Sequence, residues 1–270
     1  MFKYVFGGLL FIYSAWSGYH LLKNGLLYHS LSGVEPTSIG TVVDGERIAV
    51  KGTVTIDDPA PASKEVIPHP SRRIGMYVWR VAKNKPGSNK IDFRNLKVKA
   101  NKKTVGSGIE AGTLAVSSDG TTVRVDPTWV REAHGAPKLT DFTVVPGMGY
   151  RNFRLYLWRT PYVRLSGDEA EVPLDQLEGV VEKYDAETSL ADMWLQSRPL
   201  EAGDTLTVYG EVHSTGGTPV IRGTDETPLF ITNDSIDGLR RYLLKLMSRN
   251  ASSSGFFLVL TVLFVFYANW

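Results

Sequence analysis

The hydrophobic pattern divides the chain into two apolar ends and an alternating middle. Residues 4–22 are apolar apart from scattered Ser, Gly, Tyr and His20. As a helix they span about 28 Å, close to the thickness of a hydrocarbon core. Tyr4, Trp16 and Tyr19 give this run the aromatic character of a membrane interface. A cleaved signal peptide is the rival reading. It is weakened by Lys3 as a thin basic flank and by Ser14-Ala15-Trp16-Ser17-Gly18 as a poor cleavage site. Residues 256–270 are apolar but for Thr261 and Asn269, and with residues 251–255 they reach about 30 Å. This run is apolar on every side, unlike a helix packed on a soluble core. The patterns predict transmembrane helices over residues 1–24 and 251–270.

The middle reads as β. Val, Ile and Thr alternate with polar residues, and Asp44-Gly45, Asp119-Gly120 and Gly216-Gly217 are turn dipeptides of hairpin grade. Residues 152–159 alternate as a strand. An internal repeat aligns residues 45–54 (GERIAVKGTV) with residues 203–212 (GDTLTVYGEV). In each copy a turn launches a strand with a glycine near its middle, where a barrel bends. The expected fold is mainly β: a barrel-like domain over residues 25–233, consistent with an internal duplication, flanked by the two membrane helices. A short helix is expected within residues 173–183. A clearer one begins near Asp234 or Ser235, with Ile236, Leu239, Leu243, Leu244 and Met247 as its apolar stripe. Arg240, Arg241, Lys245 and Arg249 make residues 234–250 a basic juxtamembrane segment, read either as headgroup-facing or as packed on the domain.

Composition removes several chemistries. The 270 residues carry 30 basic and 28 acidic side chains, a net charge of +2, which gives no basis for a nucleic-acid partner. Without cysteine there are no disulfides, thiolate metal sites or cysteine nucleophiles. His20, His29, His69, His134 and His213 show no metal-ligand spacing, and Ser107, His134 and Asp126 form a triad only on paper. No catalytic residue, cofactor or metal is assigned. Residues 80–103 hold nine basic residues against Asp92, with a hairpin turn expected at Pro86-Gly87. Residues 168–192 hold nine acidic residues against Lys183. These segments are either solvated faces or a dipole suited to association.

The order of the motifs carries a resemblance. An N-terminal anchor is followed by Val50-Lys51-Gly52-Thr53-Val54, then the aromatic strand Met76-Tyr77-Val78-Trp79-Arg80-Val81, then a Gly-rich hairpin ending Val123-Arg124-Val125-Asp126-Pro127. The second repeat copy, Pro228-Leu229-Phe230-Ile231-Thr232, a basic helix and a second anchor complete the order. This layout resembles the GIDE-type family, membrane-anchored mitochondrial E3 ubiquitin ligases and prokaryotic relatives with a "beside-a-membrane" domain between two transmembrane helices. Residues 128–200 fit that pattern least. The family's ligase activity depends on a zinc-binding RING that needs Cys ligands. The cysteine-free sequence has none, so no catalytic role is carried over. The resemblance implies a β-rich partner-binding or sensing domain.

The expectation is therefore a non-enzymatic, two-pass membrane protein whose partners are the lipid bilayer and an unknown protein. Alternatives are a component of a protein-modification system, a membrane-associated enzyme, or an oligomeric assembly subunit. Tyr77, Trp79, Tyr156, Trp158, Lys97 and Lys99 are the candidate interaction residues. Core packing is the rival reading for at least half of the aromatic ones. The basic residues before the second anchor favour a cytoplasmic domain, whereas the mitochondrial relatives hold theirs in the intermembrane space.

Overall fold

The computed structural model describes residues 2–36, 43–68, 70–92, 97–145, 160–185, 187–215 and 217–267. The chain divides into two compact units, residues 1–35 with 235–270, and residues 36–234. Helix α1 (Phe2–Leu31) leads into the β-rich body, which also holds the short helices α2 (Ser63–Val66) and α3 (Thr128–His134). Helix α4 (Ile236–Val262) follows and continues as a π-helical turn over Leu263–Tyr267.

In the first unit α1 and α4 pack as an antiparallel hairpin, with Phe6 against Phe264 and Tyr13 against Phe257. Ser235 caps α4, its hydroxyl accepting from the Gly238 N–H at 3.0 Å. The sequence boundaries at residues 24 and 250 fall inside helices. In particular, the expected basic segment and second anchor are one uninterrupted helix. Nothing breaks it at residues 251–255, because no proline intervenes. The Ser254 hydroxyl is also bonded to the carbonyl of Ser14 at 3.1 Å.

The strands of the body run, in chain order, β1 (Arg47–Asp58), β2 (Ile74–Asp92), β3 (Lys97–Ala111), β4 (Thr113–Ser118), β5 (Thr121–Asp126), β6 (Thr143–Val144), β7 (Val163–Arg164), β8 (Ala170–Pro173), β9 (Glu182–Lys183), β10 (Met193–Glu201), β11 (Thr205–Thr215), β12 (Thr218–Arg222) and β13 (Phe230–Thr232). Five strands close a barrel in the order β1-β4-β5-β12-β11, with β11 returning to β1. All its pairings are antiparallel except β5 with β12. Numbered within the barrel alone, the order is 1-2-3-5-4-1, the connectivity of an OB-type barrel. Asp119 and Gly120, both at positive φ, form the tight turn between β4 and β5.

The internal repeat becomes the barrel seam. Its two copies are β1 and β11, which pair with Val50 opposite Val208 at the midpoint. A local two-fold relates them. Gly45 N–H donates to Val212 O and Gly203 N–H to Val54 O, while Val212 N–H donates to Glu46 O and Val54 N–H to Asp204 O, all at 2.8–2.9 Å. Gly45 and Gly203 adopt matching positive φ of 81° and 85°. Beyond the mid-strand glycines each strand changes partner, β1 pairing with β4 from Thr53 and β11 with β12 from Glu211. A Cβ on Gly52 would lie 2.2 Å from Ser117 O, and one on Gly210 would lie 2.7 Å from Arg222 O. Only glycine lets the neighbouring backbone approach that closely.

A second sheet, β3-β2-β10-β8, is inserted into the barrel connections. Its core holds Tyr77, Trp79, Val81, Val105, Leu195, Leu139 and Phe142. One expectation changes here and another is made specific. Pro86-Gly87 lies in a bulge, where the register slips between Asn84 and Asn89, and not at the hairpin turn. Proline has no N–H for the ladder, so a bulge accommodates it. Within residues 173–183 the expected short helix is a single 3₁₀ turn, Leu174–Leu177, followed by β9. The strand expected at residues 152–159 lies outside the described residues.

Candidate functional site

The hairpin is built on two matching 3–4 spacings. On α1 the inward positions include Gly7, Leu10, Ser14, Ser17, Leu21, Asn24, Leu27, Tyr28 and Leu31. On α4 they include Ile236, Leu239, Leu243, Leu246, Asn250, Ser253, Phe257, Leu260 and Phe264, with Ser254 and Val265 beside them. All of these are buried or half-buried. This is the spacing of a coiled-coil seam, filled on α1 by small and polar residues. Gly7 allows close approach, since a Cβ there would lie 2.6 Å from Val265 Cγ2. The Ser14 hydroxyl donates to the Ser254 carbonyl at 2.9 Å, and the Ser254 hydroxyl returns a bond to the Ser14 carbonyl. Small residues with reciprocal hydroxyl bonds are how helices associate when the surrounding solvent is itself apolar.

The outward faces have the opposite character. Among the described residues, eighteen of the twenty exposed large apolar side chains lie on this hairpin, and Val43 and Tyr184 are the two on the body. At about 1.5–3 kcal/mol per side chain, leaving them in water would forfeit tens of kcal/mol, more than a typical fold's net stability. Both helices are long and apolar enough to cross a membrane.

The four basic residues marked in the sequence divide into two roles. Arg240 turns inward within the hairpin. Its guanidinium donates to Leu31 O at 2.9 and 2.6 Å and to Val34 O at 2.8 Å, capping the C-terminal end of α1, and it also pairs with Asp237 at 2.8 Å. It is therefore a cap and not a headgroup-facing residue, because the carbonyls at a helix end need donors and a cation meets the negative end of the dipole. Arg241, Lys245 and Arg249 are exposed, at successive four-residue steps along α4.

The second sheet carries a polar ladder. Lys102 of β3 meets Glu171 and lies 4.3 Å from the Trp194 ring centroid. Gln196 donates to Glu171 at 2.6 Å and accepts from Arg80 Nε at 2.7 Å. Arg80 and Arg198 both reach Glu169 at 3.5 Å. The basic and acidic segments thus pair within one chain, because the sheet places β8 beside β10 and β10 beside β2. Burial pushes the Glu171 carboxyl up, but hydrogen bonds from Lys102 and Gln196 and the nearby positive charges outweigh it, and the group is held below its ordinary value. Beside the ladder is an open cleft of about 390 Å³, lined by residues including Arg72, Asp168, Arg198, Glu201 and Asp204. Arg72 is bonded there to Glu201 at 3.2 Å and Asp204 at 2.8 Å.

The aromatic interaction candidates are placed differently. Tyr77 and Trp79 are fully buried, so they build the core and present no contact surface. Tyr77 donates its hydroxyl to Pro61 O at 2.7 Å, and burial pushes that hydroxyl well above its ordinary pKa. Tyr156 and Trp158 lie outside the described residues. Lys97 and Lys99 lie on β3, opposite Asp92 and Lys90 in the ladder register. Ser107 is buried at 1% exposure, which removes it as an accessible nucleophile. Sequence reasoning missed Glu110, which is buried on β3 and accepts from the Leu139 N–H. Burial pushes its carboxyl up, against that hydrogen bond and the charge of Arg131. No local pattern marks it, since its partner lies beyond β5 and α3. No family model, curated protein or solved structure matches the chain.

Proposed function

We propose that this is a two-pass membrane protein without catalytic activity, whose hairpin is embedded in the bilayer and whose β body is a protein-interaction module. The observation that carries the reading is the hairpin itself, whose crossing holds Gly7 and the reciprocal Ser14–Ser254 bonds while, among the described residues, eighteen large apolar side chains lie exposed on its outer faces. The open cleft of the body, lined by residues including Asp168, Thr205 and Asn233, supports a binding role. The order of motifs resembling the GIDE-type membrane-side domain agrees with this role. The body faces the cytoplasm in this reading, because Arg240, Arg241, Lys245 and Arg249 precede the apolar half of α4 on the body's side.

Two measurements test it. The protein should stay in the membrane pellet through alkaline carbonate extraction; release into the supernatant would overturn the embedding. A single Cys at Ser118, next to the exposed Asp119-Gly120 turn, should resist an impermeant maleimide in intact cells and react after lysis. Labelling in intact cells would reverse the sidedness and leave the embedding intact.

A further inference from the structure

We infer that the body-proximal part of α4 is a binding site for anionic phospholipid headgroups, formed by Arg241, Lys245 and Arg249. The inference rests on the embedding of the hairpin proposed above and adds which lipid it selects.

Three observations lead to it. The first is length. Helix α4 with its π-helical turn runs from Ile236 to Tyr267, about 48 Å at 1.5 Å per residue, against a hydrocarbon core of about 30 Å. With Tyr267 at the far boundary, the near boundary falls close to Arg249, about 27 Å away along the axis. Lys245 and Arg241 then stand about 6 and 12 Å further out, through the headgroup layer and within reach of its field. The cations stack along the membrane normal, and no part of the helix needs to lie flat on the surface.

The second is charge segregation. Residues 1–35 and 235–270 together hold six basic and two acidic residues, a net +4 within a chain whose total is +2. The body is therefore net −2 and offers no general attraction to an anionic leaflet. Five of the hairpin's six basic residues lie in its body-proximal half. The third is occupancy. Arg240 is held by the end of α1 and by Asp237. Arg241 makes only a long contact, 3.4 Å, with the Asp237 carbonyl of its own helix. Arg241, Lys245 and Arg249 are all exposed. A phosphate or carboxylate of a lipid headgroup matches cations at this depth, and each cation near such a surface strengthens the attraction about fivefold.

The test uses the full chain in phosphatidylcholine bilayers containing trace spin-labelled phosphatidylserine or spin-labelled phosphatidylcholine. The motionally restricted fraction of each label gives their relative association with the protein. The wild type should favour phosphatidylserine several-fold, and the preference should weaken as salt rises. The R241Q/K245Q/R249Q variant should bring it close to one, with R249Q alone removing a large share. Equal selectivity in wild type and triple variant would overturn the inference. So would selectivity that persists at high salt, or that is lost to millimolar inorganic phosphate, which would mark a free-phosphate site. Carbonate extraction of the same variants separates the two readings. Inserted protein without selectivity sinks the lipid site alone, whereas failure to insert sinks both.

Discussion

Replacing Arg240 with Met keeps most of the aliphatic stem and removes the guanidinium. The loss is that of the donors on two carbonyl oxygens, those of Leu31 and Val34. Hydrogen bonds from a charged group are worth about 1.5–3 kcal/mol each, and the lower end suits a side chain that keeps 23% exposure. Two acceptors give about 3 kcal/mol, or roughly a hundredfold in the local opening equilibrium. The Asp237 partner adds little, being 76% exposed. Hydrogen exchange with mass spectrometry, on the full chain in nanodiscs, reads this directly. Amides at the end of α1 should exchange about a hundredfold faster in R240M. The matched variant R241M should change them less than about threefold, as expected for an exposed side chain. If R240M and R241M accelerate exchange equally, the capping argument is wrong and the two arginines have one common role.

The hairpin crossing gives a second pair of variants. Gly7→Leu should sharply reduce oxidative cross-linking of an introduced S14C/S254C pair, whereas Gly8→Leu, with nothing within 4 Å of its Cβ position, should leave it unchanged; equal effects would place the crossing elsewhere. Glu110 predicts a pH dependence. Its folded pKa is raised, so the folded state binds more protons between the ordinary carboxylate value and the raised one, and stability falls as pH climbs through that window. E110Q cannot ionise, so the melting temperature of wild type minus that of E110Q should decrease with rising pH and then level; a difference that grows with pH would show the carboxylate to be stabilised instead.

Some of this was legible in the sequence for physical reasons. The apolar ends are long runs, and run length is a one-dimensional property. The repeat was visible because both copies need the same turn glycine and the same mid-strand glycine, although the sequence could not show that the copies pair with each other. Arg240 was illegible because the groups that claim it lie some two hundred residues away, so it looked like its neighbour Arg241. Tyr77 and Trp79 alternate with Val78 and Arg80 as they would on a half-exposed strand. They are core because segments distant in sequence, among them Leu139, Phe142, Val172 and Leu174, join them in one buried cluster. The seam of α1 was present as Gly7, Ser14, Ser17 and Asn24 at intervals of seven and three, but small polar residues in an apolar run read equally well as tolerated exceptions.

The seam between β1 and β11 also sets an order of events during synthesis. The α1 segment and β1 are made first, yet Arg47 cannot meet Glu211 until about 160 further residues exist, so barrel closure is among the last long-range steps. In the interval the β11-facing edge of β1 is an unpaired template, exposed to any neighbouring strand. The segment that forms α4 follows β11 almost at once. The chain therefore completes its barrel and its helical hairpin within one short stretch of translation, and a stall between residues 60 and 205 would leave α1 without its partner helix and β1 with an open edge.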